Sequence, residues 1–128
     1  MSSLLAFVIA MTATGRAIKF SIEKFSQTLI AGSSGSGKSV VLNTILFKVV
    51  PLYGQELIVI IFDPKQISFT EWYPYAYVYE NPREYLQVAQ ALTNEAERRF
   101  LNMKKNGKKV FTPSAETPRV FILVDECP

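Results

Sequence analysis

Two apolar runs without alternation stand out along the chain, Leu57 to Phe62 and Val120 to Val124. A strand buried on both faces of a parallel sheet reads this way, because each side of the pleat meets apolar neighbours. Leu4 to Met11 predicts a further buried strand, followed by a turn over Thr12 to Gly15. Arg16 to Ile22 alternates in part, so the amino-terminal stretch reads as a hairpin. Thr28 to Ala31 predicts a short strand, and Ala76 to Tyr79 another. Helical spacing appears twice. Val41, Leu42, Ile45, Leu46 and Val49 form the stripe of a helix packed on a sheet, with Pro51 as its expected stop. Tyr85, Ala89, Leu92, Ala96, Phe100 and Met103 keep the same period over five turns. Asn81-Pro82-Arg83-Glu84 supplies that helix with an N-cap and a first-position proline, and Asn106-Gly107 supplies its end.

Between the short strand and the first helix lies Gly32-Ser33-Ser34-Gly35-Ser36-Gly37-Lys38-Ser39. It completes the phosphate-binding pattern G-x-x-x-x-G-K-[ST]. Glycines let the backbone curl so that its N–H groups converge on an anion, and the following helix adds its positive dipole end. Lys38 is expected at the β- and γ-phosphates of a nucleotide and the Ser39 hydroxyl on Mg²⁺. A Gly/Ser-rich linker has similar composition, but an apolar strand before and an apolar helix after argue against one.

The run Val120 to Val124 ends in Asp125-Glu126. Apolar residues followed by an aspartate, downstream of a P-loop, make the Walker B pattern. Asp125 is expected to hold Mg²⁺, usually through water, and Glu126 to polarise the attacking water. A base beside the metal aspartate suits hydrolysis better than transfer to a small acceptor.

Composition narrows the picture without changing it. With 128 residues, 48% of them hydrophobic, one domain with a real core is expected. A single cysteine, Cys127, excludes an intramolecular disulfide and makes a reducing cytoplasm the default. The absence of histidine excludes imidazole chemistry. Leu4 to Met11 is far short of the ~20 residues needed to span a bilayer, so no membrane segment is expected.

A net charge of +3 is compatible with a nucleic-acid partner without proving one. Arg98, Arg99, Lys104, Lys105, Lys108 and Lys109 form a basic cluster with no acid among them. It would serve DNA phosphates and the negative end of its own helix equally well. Ile67 to Tyr79 is rich in aromatics, a possible base-stacking surface; packing is favoured because no basic residues interleave after Lys65.

Taken in order, these features resemble the motor core of the FtsK/SpoIIIE (HerA-related) DNA translocases. Thr14-Gly15-Arg16, Phe25 and Leu29-Ile30-Ala31-Gly32 resemble the family's lead-in, and Gly35-Ser36-Gly37-Lys38-Ser39-Val40 its P-loop, with Asn43 in the helix. Phe62-Asp63-Pro64-Lys65 resembles its "IDPK", Glu95-Ala96-Glu97-Arg98-Arg99-Phe100 its "EMERRY" helix, and Val124-Asp125-Glu126 its Walker B. The resemblance runs over roughly residues 8 to 126.

It implies an α/β, three-layer P-loop NTPase core of the RecA-like additional-strand type, with a mostly parallel sheet. Residues 1–26 would be a lead-in and 27–128 a partial motor domain. It further implies ATP and Mg²⁺ as cofactors, double-stranded DNA as partner, and a hexameric ring in which a neighbour's arginine completes each site. Such proteins continue beyond Walker B with a strand that sits between the Walker B and P-loop strands. Its absence here predicts a missing carboxy-terminal part: a fragment, a chain completed by another polypeptide, or a weakly active remnant.

Overall fold

Strand β3, Leu57–Phe62, is the centre of the larger sheet in the computed structural model, which describes residues 7–21, 27–31, 37–66 and 69–125. The chain divides into two units, one ending at Gly54 and one starting at Gln55.

In the first unit, β1 (Phe7–Met11) and β2 (Ala17–Phe20) pair antiparallel, as the hairpin reading expects. The register shifts between Val8 and Ala10, a bulge in β1. The connecting turn closes through Thr12, whose N–H donates to the Arg16 carbonyl at 2.8 Å and whose Oγ1 accepts from the Arg16 N–H at 2.9 Å. Gly15 lies at φ +84°, where a side chain would be strained. Helix α1 (Lys38–Tyr53) lies against β1 and buries Ile45, Leu46 and Val49, the core of the expected stripe.

Two local expectations fail here. The helix runs through Pro51 to Tyr53: a proline in the last turn forfeits only one N–H donor, and Gly54 N–H closes the end on the Val50 carbonyl. Residues 28–31 form no strand, and Leu29 is 82% exposed. Apolar character alone makes no strand where the backbone joins no ladder.

The second unit is a three-stranded parallel sheet in the order β4-β3-β5, where β4 is Tyr77–Tyr79 and β5 is Arg119–Val124. Central β3 buries Val59, Ile60, Ile61 and Phe62, as a continuous apolar run should. Complete burial of a side chain such as Ile61 contributes about 1.5–3 kcal/mol. Edge strand β5 departs from the expected full burial: Leu123 is buried, whereas Ile122 and Val124 are nearly half exposed.

Helix α2, Pro82–Lys105, starts and stops as its sequence dictates. Asn81 Oδ1 accepts from the Arg83 N–H at 3.0 Å, and Pro82 takes the first helical position. At the other end Gly107, at φ +66°, donates to the Lys104 carbonyl and Lys108 to that of Met103, a Schellman closure. The buried stripe, however, is rotated from the expected one. Tyr85, Val88, Leu92, Glu95, Arg99 and Met103 are the half-buried positions, while Ala89, Ala96 and Phe100 are exposed. Two charged residues therefore sit on the packed face.

Candidate functional site

The first unit presents the start of α1. Gly37 stands before it in the left-handed region, φ 91° and ψ 11°, and its carbonyl accepts the first helical bond from Val41 N–H at 3.0 Å. No side chain caps this end and no acid lies in the first turn. Helix geometry leaves the leading N–H groups without intrahelical acceptors, beside the positive end of a sixteen-residue dipole. Lys38 is half-buried; Ser39 and Val40 are exposed. Asn43 Nδ2 donates back to the Ser39 carbonyl at 2.9 Å, and Thr44 Oγ1 to that of Val40 at 2.8 Å, which ties down the first turn. An uncapped helix start bearing a lysine and a hydroxyl, with no acid nearby in sequence, fits an anion such as a nucleotide's phosphates. Gly32, Ser33, Ser34, Gly35 and Ser36 lie outside the described residues.

The second unit presents two carboxylates where its ladders end. Asp63 N–H donates to the Tyr79 carbonyl at 2.9 Å and Asp125 N–H to the Phe62 carbonyl at 3.0 Å. Phe62 and Val124 are register partners, so Asp63 and Asp125 leave adjacent strands side by side. Both are buried, Asp63 completely and Asp125 to 4% exposure. Asp63 also builds the turn that follows it. Gln66, at φ 65°, donates its N–H to the Asp63 carbonyl at 3.3 Å and to Oδ1 at 3.2 Å.

Tyr85, from the first turn of α2, lays its ring against Phe62 at a centroid distance of 4.6 Å. Burial raises the pKa of its phenol, and the charges of Asp63, Asp125 and Glu80 raise it further. Buried carboxylates at the carboxyl end of a parallel sheet suit a hydrated divalent cation. Glu126 lies outside the described residues.

The basic cluster is not uniformly exposed. Arg98 is exposed and forms a forked pair with Glu95, its Nε donating to Oε1 at 2.7 Å and Oε2 at 3.1 Å. Arg99 is turned inward: Nη1 donates to the Pro118 carbonyl at 2.7 Å and the guanidinium lies 5.2 Å from the Phe111 ring centre. It thereby fastens the loop that leads into β5. Lys104, Lys105, Lys108 and Lys109 are exposed. The aromatic segment is likewise split, with Phe69 and Trp72 buried and Tyr73, Tyr75 and Tyr77 exposed.

The sequence profile of the FtsK/SpoIIIE family matches residues 2–123 of this chain. The chain belongs to the FtsK/SpoIIIE family. Among its relatives are the DNA translocase FtsK of Corynebacterium glutamicum, 29% identical over 81% of this chain, and that of Mesorhizobium japonicum, 32% identical over 80%. The aligned part is 13% of the first protein and 12% of the second, so the chain spans a small share of either. A solved structure of the pCW3 conjugation coupling protein TcpA, in monomer form with ATPgS, matches at a TM-score of 0.77 and 27% identity. That match covers 94% of this chain and 35% of TcpA. A mixed α/β fold with a parallel sheet is thus what this FtsK/SpoIIIE member shares with TcpA. Among the described residues no helix is long and apolar enough to cross a membrane.

Sequence reasoning marked Asp63 only through its resemblance to a family motif, and placed Tyr85 in a helix stripe. A stronger signal was available. Leu57–Phe62 and Arg119–Val124 are equal in length and each is followed by aspartate, so in-register parallel pairing must bring the two carboxylates together.

Proposed function

We propose that this chain is the ATP-binding and ATP-hydrolysing motor core of an FtsK/SpoIIIE-type translocase of double-stranded DNA. The observation that carries the reading is the left-handed Gly37 opening α1 onto Lys38 and Ser39 without a side-chain cap. Family membership and the names of the relatives supply the DNA half. In this reading the backbone from Gly32 to Gly37, with Lys38, Ser39 and Val40, binds the phosphates of ATP. Ser39 and Asp125 would hold Mg²⁺, which when bound neutralises charge on the phosphate oxygens. Glu126 takes the proton of the attacking water, and Lys38 stabilises the negative charge that develops on the transferred group. A ring of subunits around DNA belongs to the same reading.

ATP hydrolysis by wild type and Glu126→Gln, with and without double-stranded DNA, tests it. Wild type should turn over faster with DNA, and Glu126→Gln should keep nucleotide affinity while losing turnover by roughly 100-fold. Unchanged turnover in the variant removes Glu126 from the base role. Mg-ATP affinity without hydrolysis, even with DNA, favours the second reading, a nucleotide-binding module that needs a partner or further sequence. That reading is kept because the chain spans only 12–13% of the two FtsK relatives.

A further inference from the structure

Two buried polar atoms in the second unit have complementary hydrogen-bonding needs and no partner among the described residues, Asp63 Oδ2 and the Tyr85 hydroxyl. The first can only accept when ionised; the second carries a proton to give. Neither can stay dry without a large penalty, and they do not bond directly. Both residues belong to the group gathered about the end of β3. Tyr85 packs on Phe62, the residue before Asp63, and its phenol feels the charges of both Asp63 and Asp125. A site lined by buried polar atoms, each lacking a partner, is where a water is bound as part of the fold.

We propose that Tyr85 is a positioning residue for the carboxylate end of the sheet: its hydroxyl and Asp63 Oδ2 hold one buried water between them, and this link fixes Asp63 beside Asp125. The other oxygen of Asp63 is already fixed by Gln66 N–H, so the water completes the bonding of the carboxylate. The link joins the first turn of α2 to the ends of β3 and β5. It sets the surroundings of Asp125, as partners behind a metal-binding carboxylate do in general. The functional half rests on the Mg-ATP reading of Asp125; the structural half does not.

Tyr85→Phe removes only the hydroxyl, and Asp63→Asn keeps the Oδ1 acceptor that builds the turn. Urea unfolding of the two single variants and the double variant measures the link. The two midpoint shifts should be less than additive in the double variant, because each change removes or weakens the same bridge. Titration of Mn²⁺ into protein with an ATP analogue, followed by the loss of the free Mn²⁺ spin-resonance signal, measures the positioning. Tyr85→Phe should raise the half-saturating Mn²⁺ concentration about tenfold while metal-free nucleotide affinity is unchanged. Additive midpoint shifts, or a wild-type Mn²⁺ requirement in Tyr85→Phe, overturn the proposal. A wild-type chain that binds no nucleotide at all removes the Mg-ATP reading instead, and the unfolding measurements still decide the link.

Discussion

The two units carry their candidate chemistry in opposite ways. In the first, Gly37 to Val40 is exposed or half-buried and is shaped by backbone: a left-handed glycine, a helix start and a dipole. In the second, Asp63 and Asp125 are buried and are shaped by packing, since the register of β3 against β5 brings them together. An anion cradle built from N–H groups needs few tertiary contacts to keep its form. A pair of buried carboxylates exists only while the sheet around it does. Substitutions in the first unit should therefore separate function from stability, and those in the second should couple them.

The largest test of this contrast is Lys38→Ala. Nucleotide affinity measured by calorimetry should fall by roughly 100-fold, as expected for loss of a cation aimed at phosphate. The urea midpoint should change far less than the affinity, because this helix start is shaped mainly by backbone. A midpoint that fell together with affinity would mean that the two units do not differ in the way their geometry indicates.

The same contrast explains what could be read in the sequence. The start of α1 at Gly37 to Ser39 is legible because a glycine followed by lysine and serine marks where that helix begins. Leu57–Phe62 and the caps of α2 are legible for the same reason, as local chemistry dictates each. The strand expected over 28–31 fails because apolar character without a ladder makes no strand, and the stop expected at Pro51 fails because a last-turn proline forfeits only one N–H donor. The face of α2 was misread for a different reason. Apolar spacing was followed through Ala89, Ala96 and Phe100, whereas Glu95 and Arg99 occupy the packed side. Arg99 can do so because its guanidinium finds the Pro118 carbonyl and the Phe111 ring, and its stem covers apolar surface. Pattern reading has no term for an inward arginine whose acceptor lies nineteen residues away. The Tyr85–Phe62 contact is invisible for the same reason, since it joins a helix start to a strand end.

Arg99 supplies the next test. Its side chain is 18% exposed against 59% for Arg98, although the two are adjacent. Arg99→Ala should cost about 2 kcal/mol in urea unfolding, the usual scale for a charged hydrogen bond lost from a packed site. Arg99→Lys should restore little, because an ammonium cannot reach the carbonyl and lie flat on the ring together. Arg98→Ala should lower the midpoint only slightly, far less than Arg99→Ala does. An Arg98 effect equal to that of Arg99 would return the pair to the ordinary solvated face that their sequence suggests.

The smallest effect concerns Glu95, which both arginines address. Hydrogen bonding from Arg98 holds its carboxyl below the ordinary pKa, helped by the charges of Arg98 and Arg99 and opposed by partial burial. The folded protein therefore releases this proton more readily than the unfolded chain does. Above the ordinary carboxylate pKa both states are ionised and the contribution is fully present. As pH falls through that value the unfolded chain takes up the proton first, so the contribution shrinks, and it is lost once pH passes below the lowered folded value. Unfolding midpoints of wild type and Glu95→Gln, followed from about pH 7 down to about pH 3, should converge toward the acid end. Added salt should narrow the gap at neutral pH, because the Arg98 partner is exposed and screened. Curves that stay parallel across this range would mean that the Arg98–Glu95 fork holds no stability, leaving the Arg99 clamp as the sole contribution of the Glu-Arg-Arg segment.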